Sequence, residues 1–439
     1  MRHMLLVKVS GTFALFAFSA AVGCPFPAAL ATQSKSPPFI GAIHSSGQKR
    51  FSEGQVIAAS GLRTDQIFDV KAIEAATQNL GQSGAFEEVQ FKYRPDNGKM
   101  SVEFVVKEAA RFHRCTYDNF VWASTKEIEE FVRGEVPLFD GYAPESGNLP
   151  GEIASSLERF LQQRGIAGHV ERMQFARSIG DPKWEHLYSV NGPIVRVQSV
   201  VFLGVNGIDE GLLRKEAKSL VGRNYSFVEF RRYAEASFVP VYRERGFLRV
   251  NVGSPAANPV RQSQDSNEFA IQVTYPVEEG VAYDWEAAKW SGNQVERSAD
   301  LDALLGMKHG ERANGKKLDA GLEAIQAAYG KKGYLEARLT PEVVYDEVGH
   351  KVEYQVPVTE GPQYRMGEFS ISSVPAAVSL KSKWRLKAGD VYDASYLMEF
   401  MKTQLSPALA VSGGRPPKIQ TSIQPDRTAH TVDILIQVQ

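Results

Sequence analysis

The sequence predicts an α+β protein of five small modules in tandem, each with the element order β-α-α-β-β. Three observations lead to this fold class. Helix-like stretches end at glycines spaced 81, 81 and 87 residues apart: Gly84, Gly165, Gly246 and Gly333. The pairs Glu279-Gly280 and Glu360-Gly361 close alternating apolar runs and are themselves 81 residues apart. The composition, 43% hydrophobic and 23% charged, is that of a globular protein. A repeat of this period indicates an array of supersecondary units.

The first module, predicted over 39–110, shows the pattern most clearly. We expect a strand around Ile43, a short helix over Glu53–Ser60 and a longer one over Val70–Leu80. Gly84 then ends the longer helix, because glycine readily takes the left-handed conformation at a helix C-terminus. The turn Pro95–Gly98 separates two alternating runs, which is a good signal for a β-hairpin.

The later modules are predicted over 111–194, 195–280, 281–363 and 364–439. In module three, Asp209 is the expected N-cap of its first helix, and Pro240 should kink a second helix over Ser226–Arg245. Leu248 and Val250 should begin the strand that follows. Module two is the least regular, because the loop over 138–150 (LFDGYAPESGNLP) is longer than its counterparts.

Second helices are also predicted in modules four and five, over Lys317–Tyr329 and Asp393–Leu405. A strand over Leu335–Leu339 should follow the first of these. The final strand of module five is expected around Val432–Val438, where apolar residues alternate.

The first 31 residues read as a secretory signal, with a basic start and an apolar run too short to span a bilayer. Cleavage after Ala31 fits the small-x-small pattern. Lipidation of Cys24 is an alternative, and an N-terminal anchor left in place is a third. Cleavage after Ala31 would leave Cys115 as the sole cysteine, so no intramolecular disulfide could form, and a small buried side chain is expected there.

Catalytic and cofactor signals are weak. The stretch 310–317 almost fits a P-loop, but Lys317 replaces the hydroxyl residue that would hold Mg²⁺. The eight histidines show no metal-ligand spacing, and no nucleophile-elbow motif is present. A formal net charge of −1 gives no basic field for nucleic acid. We therefore expect a protein that is not an enzyme and that has no cofactor and no nucleic-acid partner.

The repeated motifs resemble the polypeptide-transport-associated (POTRA) domain, which occurs in tandem in BamA-type outer-membrane assembly proteins. The residues behind this resemblance are the segments 84–86 (GAF), 245–248 (RGFL), 332–335 (KGYL), 273–280 (VTYPVEEG) and 354–361 (YQVPVTEG). BamA relatives continue from their last such domain into a membrane β-barrel. The 439 residues leave no room for one, so either a barrel-less array or a fragment of a longer protein is expected.

The resemblance implies a periplasmic, outer-membrane-associated scaffold or chaperone that guides unfolded outer-membrane protein clients, alone or beside a separate β-barrel or lipoprotein subunit. The second strand of each module would be a free sheet edge that captures extended clients by β-augmentation. Those edges map to about Glu88–Tyr93, His169–Gln174, Phe247–Val252, Leu335–Leu339 and Lys418–Ile423. The candidate client-binding residues are Val89, Gln90, Phe91, Leu248, Arg249, Val250 and Asn251. The alternative is a structural adaptor that holds envelope partners through its helical faces.

Overall fold

The computed structural model describes residues 37–176, 183–262, 267–372, 377–410 and 418–438. The predicted signal, its cleavage site at Ala31 and the lipidation candidate Cys24 lie outside these ranges. The chain divides into two compact units. One comprises Met1–Val200, Ser219–Phe230 and Ala256–Thr274, and the other comprises Val201–Lys218, Arg231–Pro255 and Tyr275–Gln439.

The first sheet follows the predicted order of module one. Its elements are β1 (Ile40–Ser46), α1 (Glu53–Ser60), α2 (Val70–Gln82), β2 (Phe86–Asp96) and β3 (Lys99–Glu108). The strand order is β1-β3-β2, with β1 parallel and β2 antiparallel to the central strand. Ser52 and Gln55 form a capping box that starts α1. Asn97 and Gly98 both have positive φ, so the predicted turn is a two-residue hairpin.

The second sheet contains a strand that the sequence analysis missed. Its elements are β4 (Phe112–Tyr117), α3 (Thr125–Glu135), β5 (Tyr142–Pro144), α4 (Leu149–Gln163), β6 (His169–Ala176) and β7 (Trp184–Asn191), in the order β5-β4-β7-β6. Strand β5 forms within the long loop over 138–150 and pairs with β4. Three residues are too few to show an alternating pattern, which is why the loop gave no strand signal.

The third sheet is formed by β8 (Ile194–Leu203), β9 (Asn251–Val252), β10 (Ala256–Gln262) and β11 (Glu268–Glu278). Its order is β10-β11-β8, and β9 also pairs with β11. Its helices are α5 (Glu210–Ala217), α6 (Phe227–Tyr233) and α7 (Val239–Arg243). The N-cap at Asp209 is confirmed, since its side chain accepts the N–H of Gly211.

The remaining two sheets lie in the second unit. One has the elements β12 (Asp284–Ser291), α8 (Ser298–Leu305), α9 (Gly315–Lys331), β13 (Arg338–Leu339), β14 (Glu342–Asp346) and β15 (Lys351–Thr359). The other has β16 (Arg365–Ser372), α10 (Ala377–Ser382), α11 (Tyr396–Phe400), α12 (Ser406–Ala410), β17 (Ile419–Asp426) and β18 (Thr431–Val438). Their central strands are β15 and β18. The predicted α+β class is confirmed, while the domain boundaries stay predictions.

The helix that was expected to kink at Pro240 contains a π-helical stretch just before this proline. Residues Ala234–Phe238 form π turns, and Pro240 stands in the first turn of α7. A second π stretch, Met401–Leu405, also ends two residues before a proline, Pro407. Proline has no N–H to donate, so widening the preceding turn lets the helix continue with its bonding register shifted.

Candidate functional site

The open edge of β2 is the first candidate site. In a two-residue hairpin the flanking pair Asp96↔Lys99 is hydrogen-bonded, and hydrogen-bonded and non-hydrogen-bonded pairs then alternate along the two strands. Val89, Phe91 and Tyr93 therefore belong to non-hydrogen-bonded pairs. Their main-chain N–H and C=O groups are directed away from β3. Met100 of β3 also belongs to a non-hydrogen-bonded pair, and its N–H donates to Phe39 O on the opposite side of β3 at 2.8 Å. This bond confirms the alternation.

The side chains along β2 divide between the two faces of the sheet. Phe91 is buried in the module core, and Val89 and Tyr93 pack against that core. Gln90 is half-buried on the opposite face, between the exposed Glu88 and the half-buried Lys92. The main-chain groups of β2 are thus presented from a strand whose apolar side chains anchor it, which suits pairing with an added strand.

Two other predicted edges also lie in outer strands. Strand β6 contains the predicted range His169–Gln174, and β17 contains most of Lys418–Ile423. In β6, however, Glu158 accepts the N–H of Val170 at 3.0 Å, so one outward donor is already used. In β17, Pro425 removes a donor near the hairpin end, and Pro95 does the same in β2. Strand β2 is the longer edge, with 11 residues against eight in each of β6 and β17.

The edges predicted at Phe247–Val252 and Leu335–Leu339 are wrong in position. Leu248 and Arg249 lie in a turn, Val250 belongs to no regular element, and the strand begins only at Asn251. In the next module the strand likewise begins at Arg338. The long outer strands there are β10, which contains Pro259 and a bulge, and β14, which Thr340-Pro341 separates from β13. Proline and bulges blunt a sheet edge, so both are poor pairing edges.

Leu248 and Arg249 instead join module three to module four. Leu248 packs against the core of the sheet formed by β12 and β15. Arg249 pairs with Glu347 at the tip of the β14–β15 hairpin, and its guanidinium lies 5.2 Å from the ring centre of Tyr345. The hydroxyl of Tyr283 donates to the same Glu347 at 2.8 Å. The glycine–aromatic–leucine motif is therefore a joint between modules.

The joint between modules four and five repeats this arrangement with the charges exchanged. Leu335 packs against the core of the last sheet. Glu336, three residues after Gly333 as Arg249 is after Gly246, pairs with Arg427 of the β17–β18 hairpin at 3.1 Å. Tyr364 donates its hydroxyl to Glu336 at 2.9 Å. The recurrence was visible in the sequence, but the partners lie too far along the chain to be identified from spacing.

The glutamates at the ends of the central strands hold the loop that precedes the first helix. Glu108 Oε1 accepts the N–H groups of Lys49, Arg50 and Phe51 at 2.8, 2.7 and 3.3 Å. Glu279 accepts two such N–H groups, from Asn206 and Gly207, at 3.0 and 2.7 Å. Glu360 likewise accepts the N–H of Val295 at 2.8 Å. The repeated Glu-Gly signal thus reflects a structural carboxylate, a role that the sequence pattern alone did not indicate.

Replacing Glu108 by glutamine is expected to destabilise the first unit by about 2 kcal/mol, because three main-chain donors lose a charged acceptor. Hydrogen exchange of the amides at 49–51 measures the effect. The matched control is Glu88→Gln, whose carboxylate is exposed and lies 3.7 Å from Lys107, and it should cost less than about 0.5 kcal/mol. Equal effects of the two variants would contradict the assigned role.

A buried polar cluster lies where β5 covers β4. His186 is fully buried, with Nε2 donating to Pro144 O at 3.0 Å and Nδ1 accepting from Arg172 at 3.1 Å. Burial, reinforced by Arg172 and His113, lowers the pKa of His186 to about 4. Cys115, the residue paired with His186 across the ladder, is buried as expected, and burial raises the pKa of its thiol.

Where the structure describes the chain, no group of three or more His, Cys, Asp and Glu side chains could hold a metal ion. Among those residues no helix has both the length and the apolar character needed to cross a membrane.

The fold and its recurring joints define a tandem array of small α+β domains. Residues 38–109 and 283–361 match the POTRA family, described as "Surface antigen variable number repeat". Two segments of the chain therefore match the POTRA domain, and the chain is similar to BamA-type outer-membrane assembly factors.

Three relatives illustrate this likeness. An outer membrane protein assembly factor of Treponema pallidum (strain Nichols) is 22% identical over 249 residues, which are 55% of this chain and 29% of that protein. The chain therefore spans less than a third of that relative's length. The crystal structure of Haemophilus influenzae BamA POTRA3–5 is 21% identical, with a TM-score of 0.45, over 57% of this chain and 98% of that one. POTRA1–3 of Omp85 from Anabaena is 15% identical, with a TM-score of 0.26, over 56% and 96%.

Proposed function

We propose that this protein acts in the periplasm as a non-catalytic scaffold for outer-membrane protein assembly, and that the open edge of β2 captures extended segments of unfolded clients. The observation that carries the proposal is the run of outward main-chain groups at Val89, Phe91 and Tyr93. Pairing through main-chain bonds demands little of the client's sequence, as a general assembly factor requires. A separate β-barrel or lipoprotein subunit is the proposed partner that receives the client.

Several sheet edges on one chain should bind a client more tightly than the edge of β2 alone. Strands β6 and β17 offer shorter open runs on the same chain, in the second and fifth sheets. Weak sites linked on one polypeptide raise the effective concentration of each for a client already held by another. The domain match at 38–109 includes the whole of β2, so the proposed edge belongs to a POTRA domain of this chain.

Site-specific photo-crosslinking in the native envelope tests the proposal. The Gln90 side chain lies on the face of β2 opposite the module core, beside the open edge. A photoreactive residue at this position should crosslink to unfolded outer-membrane proteins during their synthesis. The matched control is the same residue at Asn258, which is exposed on β10 beside Pro259. We expect client crosslinks at Gln90 and about tenfold fewer at Asn258, because Pro259 removes a donor within β10 beside a bulge, whereas Pro95 lies at the hairpin end of β2.

Equal client crosslinking at the two positions would contradict edge capture. Crosslinks confined to an exposed helix position, such as Met398 on α11, which is 70% exposed, would favour the adaptor alternative instead. Loss of client crosslinks at Gln90 when β-barrel protein synthesis is blocked confirms that the captured chains are clients and not permanent partners.

A further inference from the structure

Three of the four predicted joints of this protein share one contact, whereas at Gly165, which closes the last helix of module two, an added methyl group would meet nothing within 4 Å. A helix-closing glycine lies against a residue just ahead of the second helix of the next module. A methyl group added at each glycine would come within 1.8 Å of Ser146 O at Gly84, 2.3 Å of Arg312 Cδ at Gly246 and 3.1 Å of Val391 Cγ1 at Gly333. Three joints therefore seat a glycine at the same place on the following module.

Module one has an equivalent surface at Phe39 and Ile67, which we call the docking seat. No residue of the described chain covers it. Ile67 is the counterpart of Arg312 and Val391, because each forms the equivalent isolated bridge to the start of the first strand: Phe39↔Ile67, Asp284↔Arg312 and Arg365↔Val391. Ile67 and Phe39 are 54% and 47% exposed. Terminal units of a repeat array normally end in a polar face. An exposed apolar pair at this position instead indicates a surface that is covered in use.

The charges beside the seat match those of module four. Lys316 and Asp319 follow the N-cap Asn314 by two and five positions, and they hold module three. Lys316 pairs with Glu244 at 2.9 Å, and Asp319 accepts two bonds from Arg243 at 2.7 and 3.1 Å. In module one, Lys71 and Glu74 stand at the same offsets from the N-cap Asp69. Both are exposed, and neither makes an ion pair within the ranges that the structure describes.

We propose that this face of module one is the docking seat for a helix end of a separate polypeptide, with adjacent basic and acidic side chains ahead of a closing glycine. The segment that would remain ahead of module one after either predicted processing event does not supply such an end, since residues 24–36 contain no glycine. A second copy does not supply it either. Over the described residues, Gly84, Gly246 and Gly333 already make this contact, and Gly165 is preceded by the uncharged Gln162 and Gln163 where Gly246 is preceded by Arg243 and Glu244.

One difference indicates that the partner is separable. In the two later joints the N–H of Tyr283 or Tyr364 donates to the carbonyl of the seated glycine, at 2.9 and 2.8 Å. Pro38 stands at that position in module one and has no N–H to donate. The seat therefore relies on the apolar pair and the two charges, which makes the contact weaker than the joints within the chain.

Photo-crosslinking of the full chain in its native envelope tests this inference separately from client capture. With a photoreactive residue at Ile67, mass spectrometry should identify crosslinked peptides of another protein that carry the described helix end. The control position is Val348, which is 95% exposed. The double variant Lys71→Glu with Glu74→Lys should lower the yield about tenfold, and reversing the partner's two charges should restore it.

Three results would overturn the proposal: products no different from those at Val348, products confined to residues 1–36 of the same chain, or products confined to a second copy. Because Lys71 and Glu74 are exposed, the double variant should unfold at the same temperature as the native chain, so a lost crosslink reports docking and not misfolding. Client crosslinks at Gln90 should continue in this variant, which distinguishes failure of the seat from failure of edge capture.

Discussion

Replacing Gly84 by alanine is expected to destabilise the first unit by about 3 kcal/mol or more. Gly84 has φ near +79°, and an added methyl group would lie 1.8 Å from the carbonyl oxygen of Ser146. Left-handed backbone alone costs a non-glycine residue about 1–2 kcal/mol. The overlap is with main chain, so it can be relieved only if the two modules separate or shift.

The matched control for Gly84 is Gly61→Ala. Gly61 closes α1 with a similar φ of +75°, but an added methyl group would meet nothing within 4 Å. That variant should cost about 1 kcal/mol, which reports the backbone conformation alone. Hydrogen exchange of α2 and α4 by mass spectrometry measures both variants. Equal losses would contradict a close joint at Gly84.

Acidification from pH 6.5 to pH 4 is expected to destabilise the second sheet by up to about 3 kcal/mol through His186. The pKa of His186 lies near 4 in the folded protein, against an ordinary value of 6.5. Between these values the unfolded chain binds a proton that the folded chain does not. Stability is therefore full above pH 6.5, falls as the pH falls through this window, and levels off below pH 4.

The His186→Gln variant separates this effect from the general response of the protein to acid. Glutamine keeps an amide N–H for Pro144 O but has no proton to bind in this range. Urea unfolding at several pH values, followed by hydrogen exchange of β7, should show a steeper loss between pH 6.5 and 4 in the native chain than in the variant. A ring signal of His186 that titrates near pH 6.5 would contradict the buried neutral form.

Local signals explain which elements the sequence predicted well. Helix Glu53–Ser60 and the hairpin turn at Asn97-Gly98 depend on caps and glycines a few residues away, so the sequence contains the deciding information. The prediction of a strand at Leu248–Val250 was wrong because the deciding contacts are distant in sequence. Leu248 and Arg249 satisfy an apolar pattern, but they make their contacts in the next module, up to 98 residues further along the chain.

The candidate site was predictable to a similar degree. The alternation of Val89, Phe91 and Tyr93 identified the strand, and family resemblance suggested that its edge is free. Which edges are blunted depended on Pro259, Pro341 and the bulge in β10, whose positions in the ladder only the structure defines. The docking seat at Ile67 was invisible for a related reason: it requires comparison of equivalent contacts in different modules.

Residue-resolved hydrogen exchange tests the central claim of edge capture most directly. The full chain would be mixed with an unstructured peptide corresponding to one strand of a β-barrel outer-membrane protein. Added protection is predicted at Val89, Phe91 and Tyr93, whose N–H groups point outward, with little change at Gln90 and Lys92, which are already bonded to β3. Protection absent from β2, or confined to the helices, would contradict the claim.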